Sequence, residues 1–221
     1  MSTPCEELKD ALYKQLTRLT SAMSHPKRLL ALDLLAQGPR TVEVLAREIG
    51  MSVASTSQHL RALKEARLVE SEKSGLYVTY RIADEYVYRL LQALRDVGDS
   101  RLAEIEQIVR QARAGRDFEP MPRQEAMQCL RKRESVLVDV RPKEEYEAGH
   151  VPNALSIPLA ELDQRLEELP NDKLIIVYCR GTYCFLALQA VEMLRQKGFR
   201  ARHLEEGVRD FAASGVKLET T

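Results

Sequence analysis

Leu8, Leu12, Leu16 and Leu19 recur at helical spacing over residues 6–19, with Pro4 just ahead of them, and predict a first helix. A second apolar run of the same period covers 26–35 and stops at Gly38 and Pro39, and a third covers 41–49 and stops at Gly50. Ser52 then caps a helix expected to run to about Ala66, with Val53, Leu60 and Leu63 inside and Ser55, Thr56, Gln58, His59 and Arg61 outside.

Beyond that point the period changes. Residues 68–72 and 77–82 are β-rich runs on either side of Lys73-Ser74-Gly75, which reads as a hairpin turn. Short helices in tandem followed by a hairpin is the order of a winged helix. An apolar stripe follows through Val87, Leu90, Leu91, Leu94, Val97, Leu102, Ile105, Ile108 and Val109, interrupted near Gly98. It is longer than so small a domain needs for its own core, and this points to packing against a partner subunit.

Residues 114–122, AGRDFEPMP, break all periodicity and read as a linker. The second half changes class. Residues 136–140 and 174–178 are short apolar runs of the kind found in a parallel sheet covered on both faces, and 186–197 is a helical pattern. The expected organisation is therefore two domains: a mainly α winged helix-turn-helix with long dimerisation helices over 1–115, and an α/β domain built on a parallel sheet over 121–221.

Composition narrows the function classes. The chain has 221 residues and a formal net charge of zero, so any nucleic-acid binding must rest on a local patch. Residues 21–83 supply a modest one, nine Lys and Arg against six Asp and Glu. No apolar run approaches the roughly 18 residues of a membrane span, and MSTPCEELKD has no signal-peptide pattern, so a cytoplasmic protein without membrane contact is expected. The four cysteines, Cys5, Cys129, Cys179 and Cys184, are too few and scattered for a disulfide framework and read as free thiols.

The predicted helix over 52–66 presents small hydroxyls, an amide and cations on one face, the chemistry that reads base edges in a major groove. A polar helix face alone is usually only solvated. Here it lies between a short helix and a hairpin whose Lys73 and Arg81, with Lys64, can reach phosphates. Residues 16–83 resemble the ArsR family of winged-helix repressors through Met23-Ser24-His25-Pro26-Lys27-Arg28-Leu29, Leu45-Ala46, Ser55-Thr56-Ser57-Gln58-His59-Leu60, Ala66-Arg67-Leu68-Val69 and Tyr77-Val78-Thr79-Tyr80-Arg81. The resemblance implies a homodimer formed by the first and last helices, and a palindromic double-stranded operator contacted by the segment from Ser55 to Arg61. Metal-sensing members of that family often carry Cys-x-Cys where this chain has Thr41-Val42-Glu43, and the four histidines show no ligand spacing, so neither a metal nor a cofactor is expected.

In Val177-Tyr178-Cys179-Arg180-Gly181-Thr182-Tyr183-Cys184-Phe185 a buried strand ends at a cysteine, turns through glycine and enters a helix. Such a turn collects backbone N–H groups at a helix start, favours an anion, and is expected to expose Cys179 and depress its pKa. The bland alternative is a structural cysteine in a loop. Residues 121–217 resemble the rhodanese family through Leu137-Val138-Asp139-Val140-Arg141, the run from Glu145 to Ala154, Ile157-Pro158-Leu159, Cys179-Arg180-Gly181 and Leu204-Glu205-Glu206-Gly207-Val208. That resemblance implies sulfurtransferase chemistry. Cys179 would take sulfane sulfur as a persulfide from a donor such as thiosulfate, a persulfide or a polysulfide, with Arg180 and Gly181 in its loop, and Asp139 and His150 would serve as scaffold.

The phosphatases and arsenate reductases of the same fold place an Arg six residues after the cysteine, where this chain has Phe185, so oxyanion chemistry is not expected. Cys184 is the unusual feature, a second thiol five residues from the first. It reads either as a sulfur-relay or redox partner or as a bland small residue. Three functions stay open: a repressor that senses reactive sulfur, a working sulfurtransferase with autoregulatory DNA binding, and a silent rhodanese domain that senses a ligand or thiol reagent.

Overall fold

The computed structural model describes residues 3–113 and 119–221, which fall into two compact units, Met1–Ser100 and Arg101–Thr221. The first unit opens with α1 (Pro4–Met23), started by a capping box in which Thr3 and Glu6 satisfy each other's backbone N–H groups. Its leucine stripe is a helix face, as the spacing predicts, but only its C-terminal end meets the core. Ala22 and Met23 are buried, whereas Leu8, Leu12 and Leu16 are 68, 67 and 56% exposed. Then come α2 (Pro26–Gln37), β1 (Arg40–Thr41), α3 (Val42–Ile49), α4 (Val53–Glu65), β2 (Val69–Ser74), β3 (Tyr77–Ile82) and α5 (Glu85–Arg101). Leu32, Leu45, Leu60 and Leu63 are fully enclosed at its centre, each contributing about 2 kcal/mol by burial. Gly50, at φ 67°, ends α3 in the left-handed conformation that makes the tight turn into α4.

Three expectations are corrected here. Val53 is 46% exposed, while Thr56, expected outside, is fully buried and donates its Oγ1–H to the Ser52 carbonyl at 2.9 Å. The buried stripe of α4 is therefore 56, 60 and 63, the i, i+4, i+7 spacing of one helix face. In the hairpin, Ser74 pairs with Tyr77, so the turn is Gly75 and Leu76, with Gly75 at φ 61° supplying the positive dihedral a two-residue turn needs. The stripe from Val87 onward breaks at Leu102, between α5 and α6 (Ala103–Arg113), while Gly98 is buried inside α5. The sequence also gives no hint of β1, which adds Arg40 and Thr41 to the edge of β3. Arg40 is buried there by bonds to the Leu34 and Gly38 carbonyls and to Glu48 at 2.6 Å.

Of the segment read as a linker, 114–118 lies outside the described residues. Met121 is not linker: it is buried in the second unit and its N–H bonds the His203 carbonyl at 2.8 Å. That unit continues with α7 (Arg123–Arg131), β4 (Ser135–Asp139), α8 (Lys143–Ala148), β5 (Leu155–Ser156), β6 (Leu174–Tyr178), α9 (Leu186–Gln196), β7 (Ala201–His203) and α10 (Val208–Ala213). Its four strands form one parallel sheet in the order β5-β4-β6-β7. Both faces are covered, as the continuous apolar runs require. Ile175 and Val177 turn toward Ala187, Ala190, Val191 and Leu194 of α9, and Ile176 and Tyr178 toward the side of Ala126 and Phe211.

Candidate functional site

Two groups of residues carry chemistry, one in each unit. In the first, Ser52 caps α4 by accepting from the Ser55 N–H at 3.2 Å, and its hydroxyl also donates to Ser55 Oγ at 2.9 Å. Gln58, Arg61 and Lys64 are exposed, and Ser55 and His59 are half-buried. Thr56 points into the core and is withdrawn from the readout face. His59 lies 4.4 Å from His25, ring centroid to centroid, a neighbour the sequence reading missed. Partial burial, then His25, then Arg28 lower its pKa, which keeps the ring neutral and able to accept as well as donate. Lys64 Nζ reaches Ser71 Oγ at 2.6 Å, tying α4 to β2. On the hairpin Lys73 is exposed, and Arg81 is held by Glu70 at 2.6 Å across the ladder. Four of the five expected readout residues therefore share the accessible side of α4, with the hairpin cations beside them in sequence and in the same unit.

In the second unit Cys179 follows Val177 by two residues and continues its face of the sheet, toward α9. This corrects the expectation of an exposed, acidified thiol. Cys179 is 4% exposed, and its hydrogen bond with Cys184, then burial, push its pKa well up. Cys184 is half-buried at the end of the same loop, its N–H bonded to the Gly181 carbonyl at 2.9 Å. Its side-chain contact with Cys179 lowers the Cys184 pKa to about 6, aided by the Arg180 N–H, the Arg180 charge and the Leu186 N–H. The Cys179 Sγ lies 3.2 Å from the Cys184 carbonyl oxygen, to which its S–H donates.

Arg180 is tied to the fold through its guanidinium. Glu145 of α8 grips it bidentately at 2.5–3.1 Å. Glu145 is itself buried, 3.8 Å from Arg141, and Arg141 is bonded to Asp139 at 2.7–3.1 Å and to the Gly149 carbonyl at 2.8 Å. Two carboxylates and two guanidiniums thus form one enclosed, charge-balanced chain under the cysteine loop. Its other side is set by Gly207: a Cβ there would lie 2.2 Å from the Arg180 carbonyl carbon and oxygen and 2.4 Å from the Gly181 nitrogen. Gly207 N–H is fixed by Asp210 at 2.8 Å, and Val208 N–H bonds the Cys179 carbonyl at 3.3 Å. His150, expected as scaffold, is buried and stacks on Tyr146 at 3.6 Å. Among the described residues no group of three or more His, Cys, Asp or Glu is placed to hold a metal ion. No helix among them is long and apolar enough to cross a membrane.

Comparison with known proteins matches two family models, "Bacterial regulatory protein, arsR family" over residues 25–71 and "Rhodanese-like domain" over 123–214. The chain is 40% identical over 211 residues to the HTH-type transcriptional regulator Rv0324 of Mycobacterium tuberculosis, covering 96% of this chain and 93% of that protein. Over 77 residues it is 35% identical to the thiosulfate sulfurtransferase GlpE of Coxiella burnetii, covering 34% of this chain and 69% of that protein. Among solved structures it is similar to a homodimeric winged helix-turn-helix DNA-binding domain of Mycobacterium bovis. That likeness is at 41% identity and a TM-score of 0.42, covering 46% of this chain and 91% of that one.

Proposed function

We propose, for a chain that belongs to the arsR family of bacterial transcriptional regulators and carries a C-terminal rhodanese-like domain, that it is a cytoplasmic homodimeric repressor governed by sulfane sulfur at the Cys179 loop. The observation that carries the sulfur reading is the second thiol. Cys184 shares the Cys179 loop, within hydrogen-bond reach of it and surrounded by backbone N–H groups at the start of α9. A thiol pair so placed converts an encounter with a persulfide or polysulfide into a lasting change of covalent state, which is what a sensor requires. Turnover with thiosulfate is the weaker reading. Cys179 is enclosed, and the one cation of the loop, Arg180, is spent on Glu145 instead of being offered to a dianion.

For operator binding, Ser55, Gln58, His59 and Arg61 meet base edges, and Lys64, Lys73 and Arg81 meet phosphate. Arg81 must exchange Glu70 for its phosphate. The dimer forms through the uncovered apolar stripes of α1 and α5, where Leu90, Leu94 and Val97 are 40, 46 and 58% exposed in addition to Leu8, Leu12 and Leu16. Operator titrations of wild type, Cys179→Ser and Cys184→Ser, each with and without inorganic polysulfide, test the whole reading. Wild type is expected to change affinity at least tenfold, about 1.4 kcal/mol of coupling, and both variants less. An unchanged wild-type affinity overturns the sensor. In the same assay Gln58→Ala relaxes sequence preference, whereas Lys73→Ala weakens all sequences alike and lowers the salt slope by about one.

A further inference from the structure

We infer that the cleft between α1 and the C-terminal half of α4 is a binding site for a small monocarboxylate with an apolar body. Every residue of this site lies in the first unit, and the site is independent of the sulfur chemistry proposed above. The cleft has two lobes that share Arg18, Glu65 and Ala66. The first, about 360 Å³, is walled by Thr17, Arg18, Ser21, Arg28 and Glu65 over a floor of Ala22, Ala62 and Ala66. The second, about 330 Å³, is lined by Leu16, Leu19, Ala66 and Arg67. Each volume falls at the lower end of the range of about 300–1,000 Å³ in which small ligands are held.

Charge and unmet hydrogen-bonding capacity select the headgroup. Two guanidiniums and one carboxylate line the first lobe, an excess of one positive charge that a single anionic group balances. Among the described residues neither guanidinium meets a carboxylate. Arg18 bonds Gln15 Oε1 at 2.8 Å and the Glu65 carbonyl at 3.3 Å, and Arg28 bonds the Ser21 carbonyl at 3.3 Å. Arg28 Nε is enclosed without a hydrogen-bond partner among the described residues. A buried donor in that state costs stability that an acceptor at the guanidinium recovers, and a planar carboxylate matches an arginine's fork. The alanine floor and the Leu16 and Leu19 wall favour an apolar body over a bare inorganic anion.

Backbone and helix geometry add to this. Arg67 directly follows Ala66, the C-cap of α4, and stands at φ 60°, the left-handed conformation in which glycine is the default at a helix end. The chain keeps a strained arginine there, and it supplies a third cation, at the second lobe. Thr17 and Ser21 stand on the side of α1 away from Leu8 and Leu12, so the first lobe stays open when that apolar stripe is paired in a dimer. On α4, Ala62 and Glu65 follow Gln58 at i+4 and i+7. One face of that helix thus carries a proposed operator contact at one end and the cleft at the other, which ties occupancy to the readout helix.

The test titrates the full-length chain with 3-phenylpropionate and follows amide NMR shifts. Wild type should bind with half-saturation at about 1 mM, the shifts centred on Ala22, Ala62 and Ala66. 3-Phenylpropanol, which lacks the charge, and inorganic phosphate, which lacks the body, should each bind at least about tenfold more weakly. Arg28→Gln should weaken binding at least about tenfold. Ala62→Leu, which fills the floor and keeps every charge, should abolish it, and it carries the test if Arg28→Gln does not fold. Arg47→Gln, which removes an exposed cation of α3, should bind as wild type does. Unmoved alanine amides at about 10 mM probe, or equal binding of 3-phenylpropanol, overturn the proposal. Wild-type binding by Ala62→Leu places the probe elsewhere and overturns it too. So does displacement of the probe by an equal concentration of inorganic phosphate, which makes the cleft a phosphate contact of the operator interface instead.

Discussion

Glu145→Gln is the substitution that most directly probes how the cysteine loop is held. Glu145 is buried, grips Arg180 at 2.5–3.1 Å and lies 3.8 Å from Arg141, which is fully enclosed with Asp139. The four groups sum to zero charge. An amide of the same shape keeps the volume and leaves one positive charge in excess in a largely buried space. Removing one partner of a buried pair typically costs 3–5 kcal/mol, and because Arg180 retains some access to solvent, at 16% of its side chain, the lower end applies, about 3 kcal/mol. Arg180→Met in the same background removes the surplus charge, so the double variant should be less destabilised than the two single effects added, by about 1–2 kcal/mol. The assay is urea unfolding of the full chain read by pulsed alkylation of Cys129 and Cys179, both packed in the second unit, which isolates that unit from the first. Glu161→Gln, which breaks a surface ion pair with Arg165, is the control and should leave the midpoint unmoved. A Glu145→Gln midpoint within about 0.5 kcal/mol of wild type, or strict additivity in the double variant, would refute the enclosed quartet as the loop's support.

Gly207→Ala should displace the Arg180 and Gly181 backbone, because its Cβ meets that backbone at 2.2–2.4 Å; about 1–3 kcal/mol of stability and most sulfur uptake should be lost, measured by unfolding and by persulfide mapping. His203 is nearly enclosed and its pKa is lowered from 6.5 to about 4, by burial first and then by Arg113, Arg195 and Arg202. The folded state thus prefers the neutral ring, so the stability it supports is present above about 6.5 and lost as pH falls toward about 4. After allowance for solvent screening the loss is about 2 kcal/mol, and the difference in urea midpoint between wild type and His203→Gln should shrink over that window; a constant difference would remove His203 as its source. Leu12→Glu places a charge on the uncovered α1 stripe; sedimentation should show a monomer with an intact first unit, and an unchanged dimer would move the interface elsewhere.

How far the sequence could be read depended on the length of each signal. The long helices announce themselves by period and the two five-residue strands β4 and β6 by unbroken apolar runs, whereas β1, β5 and β7, of two or three residues, are too short to show either. Polarity alone puts Thr56 outside, although 56, 60 and 63 is a regular helix face and a threonine can bury its hydroxyl on the carbonyl four residues back. The depth of Cys179 was legible in principle. Ile175, Val177 and Cys179 alternate along one face, so a reader who carries the period of two past the strand end buries the thiol. The Glu145 grip on Arg180 was not legible, since the partners stand 35 residues apart and only the fold brings them together.

These supports also limit what a disulfide in the loop can do. Arg180 is anchored by Glu145, the backbone after Cys179 is wedged against Gly207, and from Leu186 onward the chain is helix with Ala187 buried. The residues left to absorb closure are Gly181 to Phe185, of which Gly181 alone has a φ, 123°, open to large change without side-chain strain. A bridge between Cys179 and Cys184 therefore spends its distortion on few residues or passes it to α9. Arg180 and Gly207 block the other directions. If operator affinity responds to sulfur, amide exchange on treatment with persulfide should change in the 181–185 loop and the first turn of α9, and stay constant in β4, which the enclosed quartet holds. Changes centred on β4 with a quiet loop would mean that the signal leaves by another route.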